Sequence, residues 1–195
     1  MDKVISCKYL VHRANTISSI YKSLYTEPEI NAFEIDVQAD QNGEIYVFHD
    51  DITTTSTPLP QDTPTLDEFL RFIPDDVLLN IEIKVYDDDN CHVGTIVSKV
   101  LDTCRKYSKA QYIYSTFHKE AFDILQEMGL EKCSWLLVDT LEKYEKQKTF
   151  TRHICIDRSL YNKITWNMHD AVVIYNCTRE HSASMPLASA FIVDP

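Results

Sequence analysis

Phe33-Glu34-Ile35-Asp36-Val37 is a run in strict alternation, and Asn80-Ile81-Glu82-Ile83-Lys84 repeats the pattern. Successive side chains of a strand point to opposite faces, so Glu34 and Asp36 share one face while Phe33, Ile35 and Val37 share the other. The same alternation joins Glu82 with Lys84 and sets Ile81 and Ile83 behind them. Any one of these acids, taken singly, reads as surface charge on a half-exposed strand. Three carboxylates directed into one space are different: they repel, and they are costly to desolvate unless a cation joins them. An oxygen-only donor set suits a hard divalent ion, magnesium or calcium in preference to zinc.

Two further strand ends carry histidine, in Val11-His12-Arg13 and Val47-Phe48-His49-Asp50. A lone histidine is usually a core or loop residue. A pair flanking an acid cluster is equipment for proton transfer, because an imidazole with its ordinary pKa of about 6.5 can take a proton or give one near neutrality. Arg13 is either a surface charge or a planar fork for a phosphate oxygen. Lys84 either neutralises Glu82 or reaches a phosphoryl group. Asp50 orients the His49 ring or serves as a turn residue. The remaining histidines (92, 118, 153, 169 and 181) lack acid partners at metal or triad spacing and read as structural or surface groups. With only three glycines, a glycine-rich phosphate cradle is excluded, and no serine or cysteine sits in a glycine-framed elbow.

Working outward, apolar β-rich runs appear near 8–13, 32–38, 44–49, 77–85, 110–115, 133–138, 153–157, 170–175 and 189–193. Helical patterns fall at 16–25, 65–72, 91–107, 118–128 and 140–148. Thr65 and Glu68 form a capping box, Glu142 and Lys146 an i,i+4 pair, and Gly129 suits a left-handed helix stop. Gln41-Asn42-Gly43 is a tight reversal, so 32–38 and 44–49 make a hairpin-like excursion after the second strand. Setting that excursion aside leaves eight strands for a parallel ladder alternating with helices. This predicts an α/β fold, a compact (β/α)8 TIM barrel with shortened loops, in one domain spanning 1–195. Such barrels usually take about 250 residues, so an incomplete barrel is the structural alternative. The connections 158–169 and 176–188 are too short or broken for long helices. The Thr/Ser/Pro-rich piece 52–64 reads as a loop.

Composition bounds the partners. Hydrophobic residues at 44% and charged ones at 25% describe an ordinary globular chain. A net charge of -11 argues against nonspecific nucleic-acid binding and against docking on an anionic membrane, though part of that charge is the acid cluster itself and part is surface, such as Asp87-Asp88-Asp89. No apolar run is long enough for a transmembrane helix, and the N-terminus lacks a signal-peptide profile. Six scattered cysteines without a CxxC pair read as reduced thiols in a cytoplasmic protein. The net charge says little about a small-molecule substrate, because Arg13 and Lys84 can still attract an anion.

Taken in order, His12-Arg13, Glu34-x-Asp36-Val37-Gln38, Val47-Phe48-His49-Asp50-Asp51, Pro64-Thr65-Leu66-Asp67-Glu68-Phe69-Leu70 and Asn80-Ile81-Glu82-Ile83-Lys84 resemble the glycerophosphodiester phosphodiesterase family. Ser115-Thr116-Phe117 and Ala190-Phe191-Ile192-Val193-Asp194-Pro195 are weaker echoes of its later strands. The resemblance implies a metal-dependent phosphodiesterase on a TIM barrel, with Glu34, Asp36 and Glu82 on the metal. It makes His12 and His49 acid and base, and gives phosphate to Arg13 and Lys84. It also implies attack by the substrate's own hydroxyl, then opening of a cyclic phosphate by water. The chain departs from the pattern at Ala14, where the family has glycine, and at Asn15-Thr16, which follow at once. It also departs in the short segment after His49 and at Tyr175, in place of an aromatic that is often tryptophan. These departures bear on the substrate. A sphingomyelinase-D-like enzyme releasing a cyclic phosphate from a lysolipid is one alternative, although neither a secretory leader nor a disulfide-tied loop is evident. A noncatalytic phospholigand-binding protein is another.

Overall fold

A computed structural model describes residues 8–52, 59–86, 92–107, 110–149, 151–182, 184–185 and 187–194. Cys7, Asp87-Asp88-Asp89, Cys91, Pro195 and much of the 52–64 loop lie outside the described residues.

Eight parallel strands close into a barrel: β1 (Tyr9–Val11), β2 (Ala32–Ala39), β4 (Leu78–Ile83), β5 (Gln111–Thr116), β6 (Ser134–Val138), β7 (His153–Asp157), β8 (Ala171–Cys177) and β9 (Ala190–Val193). Closure is made by β1, which pairs with β9 over Tyr9 to Val11 and with β2 at Val11↔Phe33. The hairpin excursion is β3 (Ile45–Val47), antiparallel to β2, reached through Gly43 at φ 75. The closed barrel, not the incomplete one, is the architecture. It is compact because the connections are short. The joins after β7 and β8 are two 3-10 turns (Arg158–Lys163 and Trp166–Met168) and the single-turn α6 (Arg179–Ser182).

Helices α1 (Ile17–Thr26), α2 (Leu66–Arg71), α3 (Val93–Lys106), α4 (Lys119–Glu127) and α5 (Leu141–Gln147) cover the outside. The capping box at Thr65 is formed in full, Gly129 closes α4 at φ 79, and Lys146 Nζ donates to Glu142 Oε1 at 2.7 Å. The β1 strand ends at Val11, short of the expected 13, because Arg13 turns left-handed at φ 51.

The alternation read from Phe33 to Val37 separates two cores. Phe33, Ile35, Val37, Ile81 and Ile83 face outward against Phe69 and Leu70 of α2 and Ile96, Val97 and Val100 of α3. Burying each such side chain contributes on the order of 1.5–3 kcal/mol. Leu136, Val138, Ile154, Ile156 and Ile174 pack outward in the same way against Phe122 and Tyr144. The opposite faces fill the barrel with Leu10, Ala32, Ile113, Trp135, Leu137, Cys155, Val173, Ala190 and Ile192. The acids stand above this apolar plug, at the C-terminal ends of the strands where barrels place their chemistry. Among the described residues no helix is long and apolar enough to cross a membrane. Cys104, Cys133, Cys155 and Cys177 are free thiols.

Candidate active site

Register sets Asp36 of β2 beside Glu82 of β4, one step above Glu34 beside Asn80. Oxygens of Glu34, Asp36 and Glu82 lie within 4.8 Å of one another, and all three residues are buried. Burial, reinforced by the Asp36 and Glu82 charges, holds the Glu34 carboxyl well above the usual carboxylate range. Burial also raises Glu82, against the pull of Lys84. Lys84 Nζ donates to Glu82 Oε1 at 2.7 Å and pairs with Asp36 Oδ1 at 2.9 Å. Burial works to lower the lysine, and the two facing carboxylates more than reverse it, so the ammonium is held above its ordinary range.

Glu34 Oε1 is buried without a hydrogen-bond partner. A desolvated, unpaired carboxylate oxygen beside two more acids, with no sulfur or imidazole among them, is a donor set that fits a hard divalent cation.

The turn after β1 braces two of these acids. The Arg13 backbone N–H donates to Glu34 Oε2 at 2.7 Å. Asn15 Nδ2 donates to Asp36 Oδ2 at 2.7 Å, while Asn15 Oδ1 accepts from the Asp36 N–H at 2.9 Å. The left-handed Arg13 makes this turn possible, and the Arg13 side chain stays exposed. His12 Nδ1 lies 2.7 Å from Asp194 Oδ1, which leaves Nε2 directed inward, 3.9 Å from Glu34 Oε2.

His49 stands on the loop leaving β3, with Nδ1 at 2.7 Å from Asp50 Oδ1. The hydrogen bond and charge of His49 hold Asp50 below its usual range, and the Phe48 N–H donates to the Asp36 carbonyl at 3.0 Å, which sets this loop beside the acids of β2. Gln38 staples this loop: its Nε2 donates to the carbonyls of Phe48 and Asp50 at 2.8 and 2.7 Å, and its Oε1 accepts from the Ile52 N–H at 3.0 Å.

Across the mouth, Phe117 and Tyr175 meet edge to face with centroids 6.0 Å apart. Burial pushes the Tyr175 phenol up, with Cys155, Asp157 and Asp139 adding to it. Lys143 lies over Phe117 at 5.9 Å. Two surface cavities of about 260 and 200 Å³ lie instead outside the barrel between α2 and α3 and contain none of these residues.

The seven expected site residues therefore gather at one end of the barrel. Of the two readings of Asp50, the contact with the His49 ring is the one present. The other histidines stay out of the site: His92 and His118 cap α3 and α4, His153 bonds the Glu131 carbonyl, His169 meets Tyr144, and His181 meets Arg158. Sequence reading assigned no role to Asn15, Gln38 or Asp194. Asn15 stands two residues after Arg13 and Gln38 two after Asp36, so position along the chain offered a signal for both. Asp194, 182 residues from His12, was marked only by the motif echo at the end of the last strand, which did not tie it to that ring.

No family model and no curated protein matches the sequence. Solved structures match the fold. A glycerophosphodiester phosphodiesterase from Parabacteroides distasonis is similar with a TM-score of 0.74 at 15% identity, over 96% of this chain and 92% of that one. A phosphodiesterase from Oleispira antarctica, in complex with its product sn-glycerol-3-phosphate, reaches 0.71 at 14% identity over 96% and 92%. A glycerophosphodiester phosphodiesterase from Thermotoga maritima reaches 0.70 at 17% identity over 98% and 96%. Likeness at this level of identity establishes the barrel and its strand order.

Proposed function

We propose that this chain is a metal-dependent phosphoric diester hydrolase acting on glycerophosphodiesters or related alkyl phosphodiesters, with residues 1–195 forming one catalytic domain. The observation that carries the reading is the trio of buried carboxylates within 4.8 Å, one oxygen unpaired, beneath an imidazole aimed at them. Solved phosphodiesterases of the same fold support it, one of them holding a glycerol phosphate product.

Glu34, Asp36 and Glu82 would hold a magnesium or calcium ion, which when bound neutralises charge on the phosphoryl oxygens and lowers the pKa of the attacking hydroxyl. Arg13 and Lys84 bind the phosphate oxygens. Asp194 and Asp50 each accept from an Nδ1–H, which fixes the tautomer and leaves Nε2 of His12 and of His49 free for substrate. One imidazole takes the proton of the substrate hydroxyl next to the ester as that oxygen bonds phosphorus. The other protonates the alkoxide as its P–O bond breaks. The cyclic phosphate so formed is opened by water with the two imidazoles in exchanged roles. A substrate this small requires neither nucleic acid nor a membrane span. The free thiols suit a reducing compartment, and the cytoplasm is the location assigned here.

Phosphorus NMR of glycerophosphocholine, glycerophosphoethanolamine and lysolipids, with and without chelator, tests the reading. Turnover that stops with chelator is expected, as is loss of turnover in His12→Ala and His49→Ala with the fold intact. Full activity in both variants, or turnover indifferent to chelator, removes the assignment. A cyclic phosphate that accumulates unopened would move it to the transferase chemistry.

A further inference from the structure

Five buried side-chain polar atoms lack a hydrogen-bond partner among the described residues, and four of them belong to Glu34, Asn80 and Ser115. Asn80 and Ser115 are fully buried. All three residues face the barrel interior on consecutive strands of the sheet. Glu34 of β2 pairs in register with Asn80 of β4, and Ser115 of β5 pairs with Glu82, the next inward residue above Asn80. In-register neighbours on adjacent strands stand roughly 4.8 Å apart. Cross-strand neighbours at this spacing are close enough to bond, yet no hydrogen bond links these side chains to one another, and polar groups left in this way suit a bridging water. The layer beneath includes the small side chains of Ala32 and Ala190.

Nothing in the acid–base scheme uses Asn80, yet an amide with both ends unpaired in a barrel core is a costly placement. Ordered water needs two to four polar partners, and Glu34, Asn80 and Ser115 together offer that number. We propose that Asn80 and Ser115 hold ordered water against Glu34 Oε1, which makes Asn80 a positioning residue for Glu34. The water accepts from Asn80 Nδ2 and from the Ser115 hydroxyl and donates to Glu34 Oε1. The Asn80 carbonyl takes a second water. Glu34 is then held from both sides, by the Arg13 N–H on Oε2 and by water on Oε1, and it presents a fixed carboxylate to Asp36 and Glu82. The inference rests on the reading of these acids as a metal site, and supporting groups of this kind commonly set ligand orientation and affinity.

Calorimetric titration of magnesium and calcium into chelator-stripped protein tests it, alongside metal-free melting. Asn80→Leu keeps the branched shape and the number of side-chain heavy atoms and removes every polar atom. Its metal Kd is expected to rise about 10–100-fold, while metal-free melting holds or improves. Asn80→Ser, which restores a hydroxyl and room for water, should recover part of the affinity. If Asn80→Leu does not fold, Ser115→Ala carries the measurement, with a rise on the order of 10-fold expected. Wild-type affinity in Asn80→Leu, or in Ser115→Ala if that is the variant measured, overturns the proposal alone. So does an Asn80→Ser protein no better than Asn80→Leu. A wild-type protein that binds no divalent ion overturns the metal reading and this proposal together.

Discussion

Replacing Lys84 by methionine isolates what this lysine does before any substrate arrives. Its ammonium pairs with Glu82 at 2.7 Å and Asp36 at 2.9 Å, and its side chain is only 14% exposed. Methionine keeps most of the stem and deletes the charge, which leaves three buried acids facing one another. Breaking a buried pair by removing one partner costs about 3–5 kcal/mol. A domain of this size moves roughly 2–4 °C in Tm per kcal/mol, so the metal-free variant should melt about 6–20 °C below wild type. A divalent ion at about 100 times its Kd stabilises by roughly 2.7 kcal/mol, or about 5–11 °C here. Because the lysine competes with a cation for Asp36 Oδ1 and Glu82 Oε1, the ion should raise Tm more in Lys84→Met than in wild type. Scanning fluorimetry in chelator, then in graded magnesium and calcium, reads both quantities. A metal-free variant as stable as wild type, or an identical metal shift in both proteins, would refute the view that lysine and cation answer the same buried charge.

Asp194→Asn should lower kcat by about 10²-fold through the His12 tautomer, with KM and metal affinity little changed; a loss confined to KM would place Asp194 in substrate binding instead. The Thr165 N–H donates to Tyr144 Oη at 2.8 Å, the Tyr144 hydroxyl lies 3.2 Å from His169 Nε2, and His169 Nδ1 lies 3.2 Å from the Thr151 carbonyl. Burial lowers the His169 pKa, so the unfolded chain takes up its proton first, and stability should fall as pH drops below about 6.5. Urea titrations from pH 7.5 to 5 should show that fall flattened in His169→Gln, and an unchanged slope counts against it. Burial pushes the Cys104 thiol up to about 12 and Cys177 up to about 11, and raises fully buried Cys155 as well. Alkylation at pH 8 followed by peptide mapping should therefore label all three only after denaturation, and rapid labelling of folded protein would contradict the packing.

The faces of the strands were legible in the residues themselves. Alternation over Phe33–Val37 and Asn80–Lys84 assigned acids inward and aliphatic groups outward, because strand periodicity is a property of the local backbone. The same locality made the capping box, the Gly129 stop and the Gly43 reversal readable. It also made the broken connections after β7 and β8 visible, since neither segment carries a helical pattern. The resemblance to known phosphodiesterases then named seven residues that the structure gathers at one mouth.

What the residues could not convey is distance. Whether eight short strands in so brief a chain would close was undecided until β1 met both β2 and β9. That closure alone carries Asp194 to His12, and the left-handed turn at Arg13 alone brings Asn15 under Asp36. The unpaired amide of Asn80 likewise becomes visible only once its neighbours are known. Period and polarity fix which way a side chain points. Which groups then meet depends on register between strands far apart in the chain, and that is decided when the barrel shuts and packs.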